Sequence, residues 1–171
     1  MLVGMRTPPW TDENQAALDQ RRALFGPTLC RGVRLKKHKV LERVPCPCCG
    51  YPTLARRDAY EICCLCIWED DGEDDANTQD WGGGPNGAYS LTQARANVVA
   101  FGTMYHPENN TTVTGNDSAE ITALKQELIG LYEALPSAVG EEALVAHWKD
   151  ILDQERTLRK AEEKRWKDLN R

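Results

Sequence analysis

Two Cys-x2-Cys pairs, Cys46/Cys49 and Cys63/Cys66, with thirteen residues between them, constrain this chain more than any other feature. Two such turns joined by a short connection bring four sulfurs to one tetrahedral point, the donor set of a closed structural zinc site. The first turn reads Cys46-Pro47-Cys48-Cys49-Gly50. Pro47 presets φ inside the turn, and Gly50 supplies the positive φ with which the chain leaves it. That geometry selects Cys49 over Cys48 as the second ligand, and the same spacing selects Cys63 and Cys66 over Cys64. Cys48 and Cys64 are then spare thiols, and Cys30 is expected as a small buried residue. Four thiolates leave no open coordination position, so the expected cofactor is one structural Zn2+, although iron suits the same four donors. A pair of cysteine turns without metal is the bland alternative, and a thioredoxin-like role does not suit two turns in tandem.

Composition explains why a staple is needed. The chain has 171 residues, 41% apolar and 27% charged, enough for one modest core. A small module with a thin core commonly depends on an added cross-link. Six of the seven cysteines lie within residues 46–66. The N-terminal residues carry no signal-type apolar stretch and no run is long enough to span a membrane, so the expected location is the cytoplasm. Reduced, clustered cysteines there read as ligands before disulfides.

The rest of the chain reads as helices around this centre. Thr11 caps a helix over 12–25 that stops at Gly26-Pro27. Partial alternation over 28–44 suggests a basic strand or extended lead-in. Ser90-Leu91-Thr92-Gln93 is a capping-box pattern opening a short helix over 91–101, closed by Gly102. Residues 107–118 are polar and aperiodic, a candidate linker. Beyond it Ile121, Leu124, Leu128, Leu131, Tyr132 and Leu135 recur at helical spacing. Pro136 to Gly140 form a turn, and a second helix runs from Glu141 towards Asn170, its apolar stripe interrupted by Glu155 and Glu162. The expected architecture is α+β: a zinc ribbon with short β-hairpins around the four cysteines, flanking helices, and a C-terminal antiparallel helical hairpin. The expected divisions are an N-terminal helix in 1–30, the ribbon in 31–106, the linker at 107–118 and the helical hairpin in 119–171.

The stretch Cys46-Pro-Cys-Cys-Gly-Tyr-Pro-Thr-Leu, with Tyr60-Glu-Ile-Cys63, Cys66-Ile-Trp-Glu-Asp-Asp, Gly83-Gly-Pro-Asn-Gly and Ser90-Leu-x-x-Ala-Arg-x-Asn97, resembles the bacterial cysteine-rich CPCC domain family over about residues 44–102. The resemblance implies a zinc-ribbon-like fold and no settled activity.

Charge is segregated within a formal −5. Arg31, Arg34, Lys36, Lys37, Lys39 and Arg43 face a single acid, Glu42, within 31–45, and the last 18 residues are net basic. Six of the seven residues from Glu69 to Asp75 are acids. This belt reads either as a solvated loop paired internally with the basic segment, or as a surface that docks into the basic cleft of a partner. A Ca2+ site fits poorly, for want of EF-hand spacing. Trp68 is expected to pack over the metal turn. Trp81, beside three glycines, is a candidate contact residue. His38, His106 and His147 are scattered, and no phosphate loop, nucleophile elbow or His-Glu-x-x-His motif occurs. The expected function is therefore non-enzymatic: a zinc-binding protein-interaction module. An inhibitor or immunity-type protein that neutralises a nuclease toxin through Glu69, Asp70, Asp71, Asp74, Asp75 and Trp81 is its sharpest form. A nucleic-acid-binding ribbon using 31–43 and the basic C-terminus is the alternative, weakened by the lack of aromatics in 31–43 to stack on bases.

Overall fold

The computed structural model describes residues 8–80, 84–109 and 117–171. Trp81 and most of the 107–118 segment lie outside the described residues. The order is α1 (Asp12–Leu24), α2 (Pro27–Cys30), β1 (Arg31–Lys36), β2 (Lys39–Glu42), α3 (Leu91–Phe101), α4 (Ala119–Ala134) and α5 (Glu141–Leu169). The chain is thus mixed, with a small antiparallel hairpin and a four-cysteine cluster, compatible with a zinc-ribbon-like α+β fold.

Local chemistry accounts for the helix ends. The Thr11 hydroxyl accepts from the Asn14 amide, satisfying one orphan donor of α1. Ser90 and Gln93 form a reciprocal capping box at the start of α3, and Gly102 ends it at φ 75°. Ser118 caps α4 by accepting from the Ile121 amide. Pro27 sits at the first position of the single-turn α2, where its missing N–H costs nothing. The lead-in expected over 28–44 therefore divides into that helical turn and the β1–β2 hairpin. Val33, Leu35 and Leu41 face inward, and β1 packs against α5.

The hairpins expected around the cysteines are reduced to single antiparallel bridges. The one two-stranded sheet among the described residues precedes them. One isolated antiparallel bridge flanks each turn, Val44 with Leu54 about the first and Ile62 with Glu69 about the second, and the connection between the turns carries no strand of its own. Asp58 and Tyr60 adopt positive φ there, which breaks the extended run a strand would need.

One apolar core runs from Phe25 through both cysteine turns to Leu158. Beneath the first turn Phe25, Tyr51, Tyr132 and Trp148 form a chain of tilted and edge-on rings with centroids 5.8 to 6.3 Å apart. Such rings bury large area and favour these offsets. The Trp148 indole N–H donates to the Leu29 carbonyl at 2.7 Å. α4 and α5 pack along each other. Glu155, which interrupts the apolar stripe of α5, points inward. It accepts a two-pronged hydrogen bond from Arg43 at 2.8 and 3.1 Å, and another from the Tyr132 hydroxyl. Burial alone would lower the Arg43 pKa, but the facing Glu155 carboxylate raises it. Burial, followed by the Glu155 charge, pushes the Tyr132 hydroxyl well up, keeping it a donor. No helix among the described residues is long and apolar enough to cross a membrane.

Candidate metal centre

The two cysteine turns repeat one backbone pattern. In the first, the Gly50 amide donates to the Cys46 carbonyl at 2.9 Å, and the Cys46 amide donates to the Tyr51 carbonyl at 2.8 Å. In the second, Ile67 donates to Cys63 and Cys63 to Trp68, both at 2.9 Å. The residue after each second cysteine is left-handed, Gly50 at φ 80° and Ile67 at φ 68°. The pattern folds each pair so that both sulfurs point the same way, and the turns face each other.

Cys46, Cys49, Cys63 and Cys66 place their Sγ atoms within 4.8 Å of one another, and all four residues are buried. The Cys46–Cys66 and Cys49–Cys63 sulfur separations are 3.7 and 3.6 Å. A tetrahedron with metal–sulfur bonds of about 2.3 Å has edges of about 3.8 Å, so these separations suit four thiolates around one ion. They are far too long for disulfides. Burial pushes the Cys46 and Cys66 thiols well above the usual range. At Cys63 burial acts the same way, but hydrogen bonds from Cys46, Cys49 and Cys66 outweigh it and pull that thiol well down. A closed pocket that opposes several thiolates accepts them together only with a cation among them. Among the described residues this is the one group of His, Cys, Asp and Glu side chains close enough to hold an ion.

Outer contacts orient the sulfurs. The Thr53 hydroxyl donates to Cys63 Sγ at 3.1 Å, and the Cys48 amide to Cys46 Sγ at 3.4 Å. Donors of this kind spread the negative charge of a thiolate and set its direction. Trp68 is buried beside the second turn, where the sequence places it. Cys48 is buried and Cys64 half-buried; neither joins the quartet. Cys30 is fully buried, and burial pushes its thiol up to about 12.

The acidic belt meets cations, but not those of segment 31–45. Asp70 is fully enclosed, held by two nitrogens of Arg57 at 2.9 and 3.2 Å and by the Asp58 amide at 2.7 Å. Its role as a contact residue is thereby corrected: the carboxylate anchors the loop from within. Arg57 also reaches Asp74. Asp75 pairs with Arg22 at 2.9 Å and Arg95 at 2.8 Å. Arg22 and Arg95 both donate to the Pro47 carbonyl in the first cysteine turn, and Arg21 donates to the Cys49 carbonyl. The belt is thus latched to the back of that turn through arginines from α1 and α3. Burial opposes ionisation of Asp74 and Asp75. Hydrogen bonds from Arg57 to the first, and from Arg95 and Arg22 to the second, prevail and hold both below the usual carboxylate range. Glu69, Asp71 and Glu73 are half-buried, and Asp80 is exposed. Desolvation, then repulsion from Asp71 and Asp80, raises the Glu73 pKa. The three bracing arginines escaped sequence reasoning; the signal available was Arg95 within the Ser90–Asn97 motif.

Residues 44–119 match the family model described as cysteine-rich CPCC. The match reaches further than the motif resemblance, to the first residue of α4. No curated protein and no solved structure matches the chain.

Proposed function

From the match of residues 44–119 to the cysteine-rich CPCC family model, we propose that this chain is a zinc ribbon closed by one structural Zn2+ and clasped by an antiparallel helical hairpin. It acts as a non-enzymatic protein-recognition scaffold in the cytoplasm. The observation that carries the reading is the buried quartet of Cys46, Cys49, Cys63 and Cys66 at tetrahedral spacing, which spends every donor on holding the ion. Such a site supplies folding free energy and leaves no position for substrate.

The recognition surface in this reading is the acidic belt, in the manner of an inhibitor or immunity-type protein set against a basic nuclease. Arg22, Arg57 and Arg95 neutralise Asp70, Asp74 and Asp75, so the charge left for a partner comes from Glu69, Asp71, Glu73 and Asp80. Trp81 adjoins them in sequence. A loop already fixed to the metal turn loses little freedom on docking, which favours tight binding.

The test is co-purification from the source cell, with metal content measured on the eluate. The expected result is one zinc per chain and a captured basic nuclease whose cleavage the protein blocks. A quadruple variant, Glu69→Gln, Asp71→Asn, Glu73→Gln and Asp80→Asn, is expected to keep the zinc and lose the partner. Undiminished capture by that variant, or no nuclease partner, overturns the recognition reading; a folded protein without metal overturns the scaffold.

A further inference from the structure

The positive charge of the molecule is displayed as unevenly as the negative. Arg22, Arg57 and Arg95 are consumed by the acidic belt, and Arg43 by Glu155. By contrast Arg31, Arg34, Lys36, Lys37 and Lys39 are all exposed on the β1–β2 hairpin, and none forms an ion pair among the described residues. The nearest acid on the hairpin, Glu42, accepts from the Gly32 amide. Val33, Leu35 and Leu41 bury the inner face, which leaves Arg34, Lys36 and Val40 outward and Lys37-His38 at the tip.

This arrangement works against the hairpin itself. Lys36 lies directly across from Lys39 in the ladder, and like charges in that relation repel. The two-residue connection is Lys37-His38, where hairpins favour Asn-Gly or Gly-containing pairs. Neither residue takes the positive φ of those turns. A sequence selected for hairpin stability alone would not gather three lysines into and beside this turn. An external polyanion would relieve the repulsion and give all of them partners.

We propose that the β1–β2 hairpin docks on double-stranded DNA. Arg34, Lys36, Lys37 and Lys39 contact phosphates, and Arg31 closes the contact at the base of the ribbon. A two-stranded ribbon is of a width that the major groove admits. The exposed hairpin residues include no Phe, Tyr or Trp, so the base stacking on which single-strand binders rely has no platform here. The narrow major groove of an RNA duplex excludes such a ribbon. Within a formal −5, the hairpin is a local concentration of exposed, unpaired positive charge that can lead the approach. This surface is separate from the acidic belt, and its test leaves the belt's partner untouched.

The experiment is fluorescence anisotropy of the full, metal-loaded chain with a labelled DNA duplex, the corresponding single strand, an RNA duplex and anionic phosphatidylserine vesicles. Four phosphate contacts give a slope of log affinity against log salt of about −3 to −4, a loss of roughly 50-fold between about 50 and 150 mM salt. The triple variant Lys36→Gln, Lys37→Gln, Lys39→Gln is expected to weaken duplex binding at least roughly 30-fold at low salt. Its metal content and nuclease inhibition should be unchanged, and its melting temperature equal or higher as the repulsion goes. The proposal fails if the duplex does not bind at low salt, if the triple variant binds as well as the parent, or if single strand, RNA duplex or vesicles bind more tightly than the DNA duplex.

Discussion

At the first cysteine turn the residue that leaves in the left-handed conformation is Gly50; at the second it is Ile67. The hydrogen bonds around them are the same, so the turn as such does not require glycine. The surroundings differ. A Cβ on Gly50 would lie 2.8 Å from Leu18 Cδ1, because α1 presses on the first turn. Ile67 has room and is half-buried against the core. A β-branched residue in this conformation is strained by about 1–3 kcal/mol, and the second turn carries that strain. The first turn is braced from outside by arginines on its carbonyls. The second is held by apolar neighbours, by the Thr53 hydroxyl on Cys63, and by the Met104 amide on the Cys66 carbonyl. Their shared hydrogen-bond pattern makes the two turns alike, and their neighbours make them different.

The largest perturbation should abolish the difference. Cys46→Ser and Cys63→Ser each remove a ligand, at a cost on the order of 10 kcal/mol, comparable to the whole stability of a domain. Elemental analysis and circular dichroism should find neither ion nor fold in either variant; a variant that keeps both would show its turn to be self-supporting. Arg95→Met affects the first turn alone. It leaves Asp75 and the Pro47 carbonyl with Arg22 only, and should cost about 2–3 kcal/mol in urea unfolding, mostly from the lost hydrogen bonds of the buried guanidinium.

Exchanging the exit residues sharpens the comparison further. Gly50→Ala combines positive φ with the Leu18 contact and should cost about 2–3 kcal/mol. Ile67→Gly relieves strain while losing some burial, so its unfolding midpoint should stay within about 1 kcal/mol of the parent. Equal costs for the two would refute the argument from α1. Thr53→Val touches only the second turn, and should cost about 1 kcal/mol and weaken metal affinity about 10-fold in chelator competition.

The smallest effect is that of acid on the latch. Asp74 and Asp75 have depressed folded pKa values, so their stabilisation is complete above the ordinary carboxylate range. It fades as pH falls below about 4, through the folded values. Both are about half exposed, so solvent keeps the contribution small. The stability gap between the parent and an Asp74→Asn, Asp75→Asn variant should be constant above about pH 5 and shrink below about 4.

What could be read in the sequence was what depends on near neighbours. The quartet follows from x2 spacing, and the ends of α1 and α3 follow from Thr11, Ser90, Gln93 and Gly102. The destination of the acidic belt was illegible because Arg22 lies 53 residues from Asp75, and nothing in local patterning pairs them. Glu155 looked like a flaw in the stripe of α5 because its partner, Arg43, is 112 residues away. The strain at Ile67 was hidden because its residue type argues against the conformation that the turn imposes.

Glu155 also limits how the chain can be cut. Its carboxylate joins strand-flanking Arg43 to Tyr132 of α4. A fragment ending before α5 would strand a guanidinium and a phenol hydroxyl inside an apolar seam without their acceptor, and would lay bare the ring cluster around Tyr132. Excised ribbons should therefore aggregate even when supplied with metal. The intact chain should melt in a single step, the last helix being as necessary to the first turn as the turn's own sulfurs.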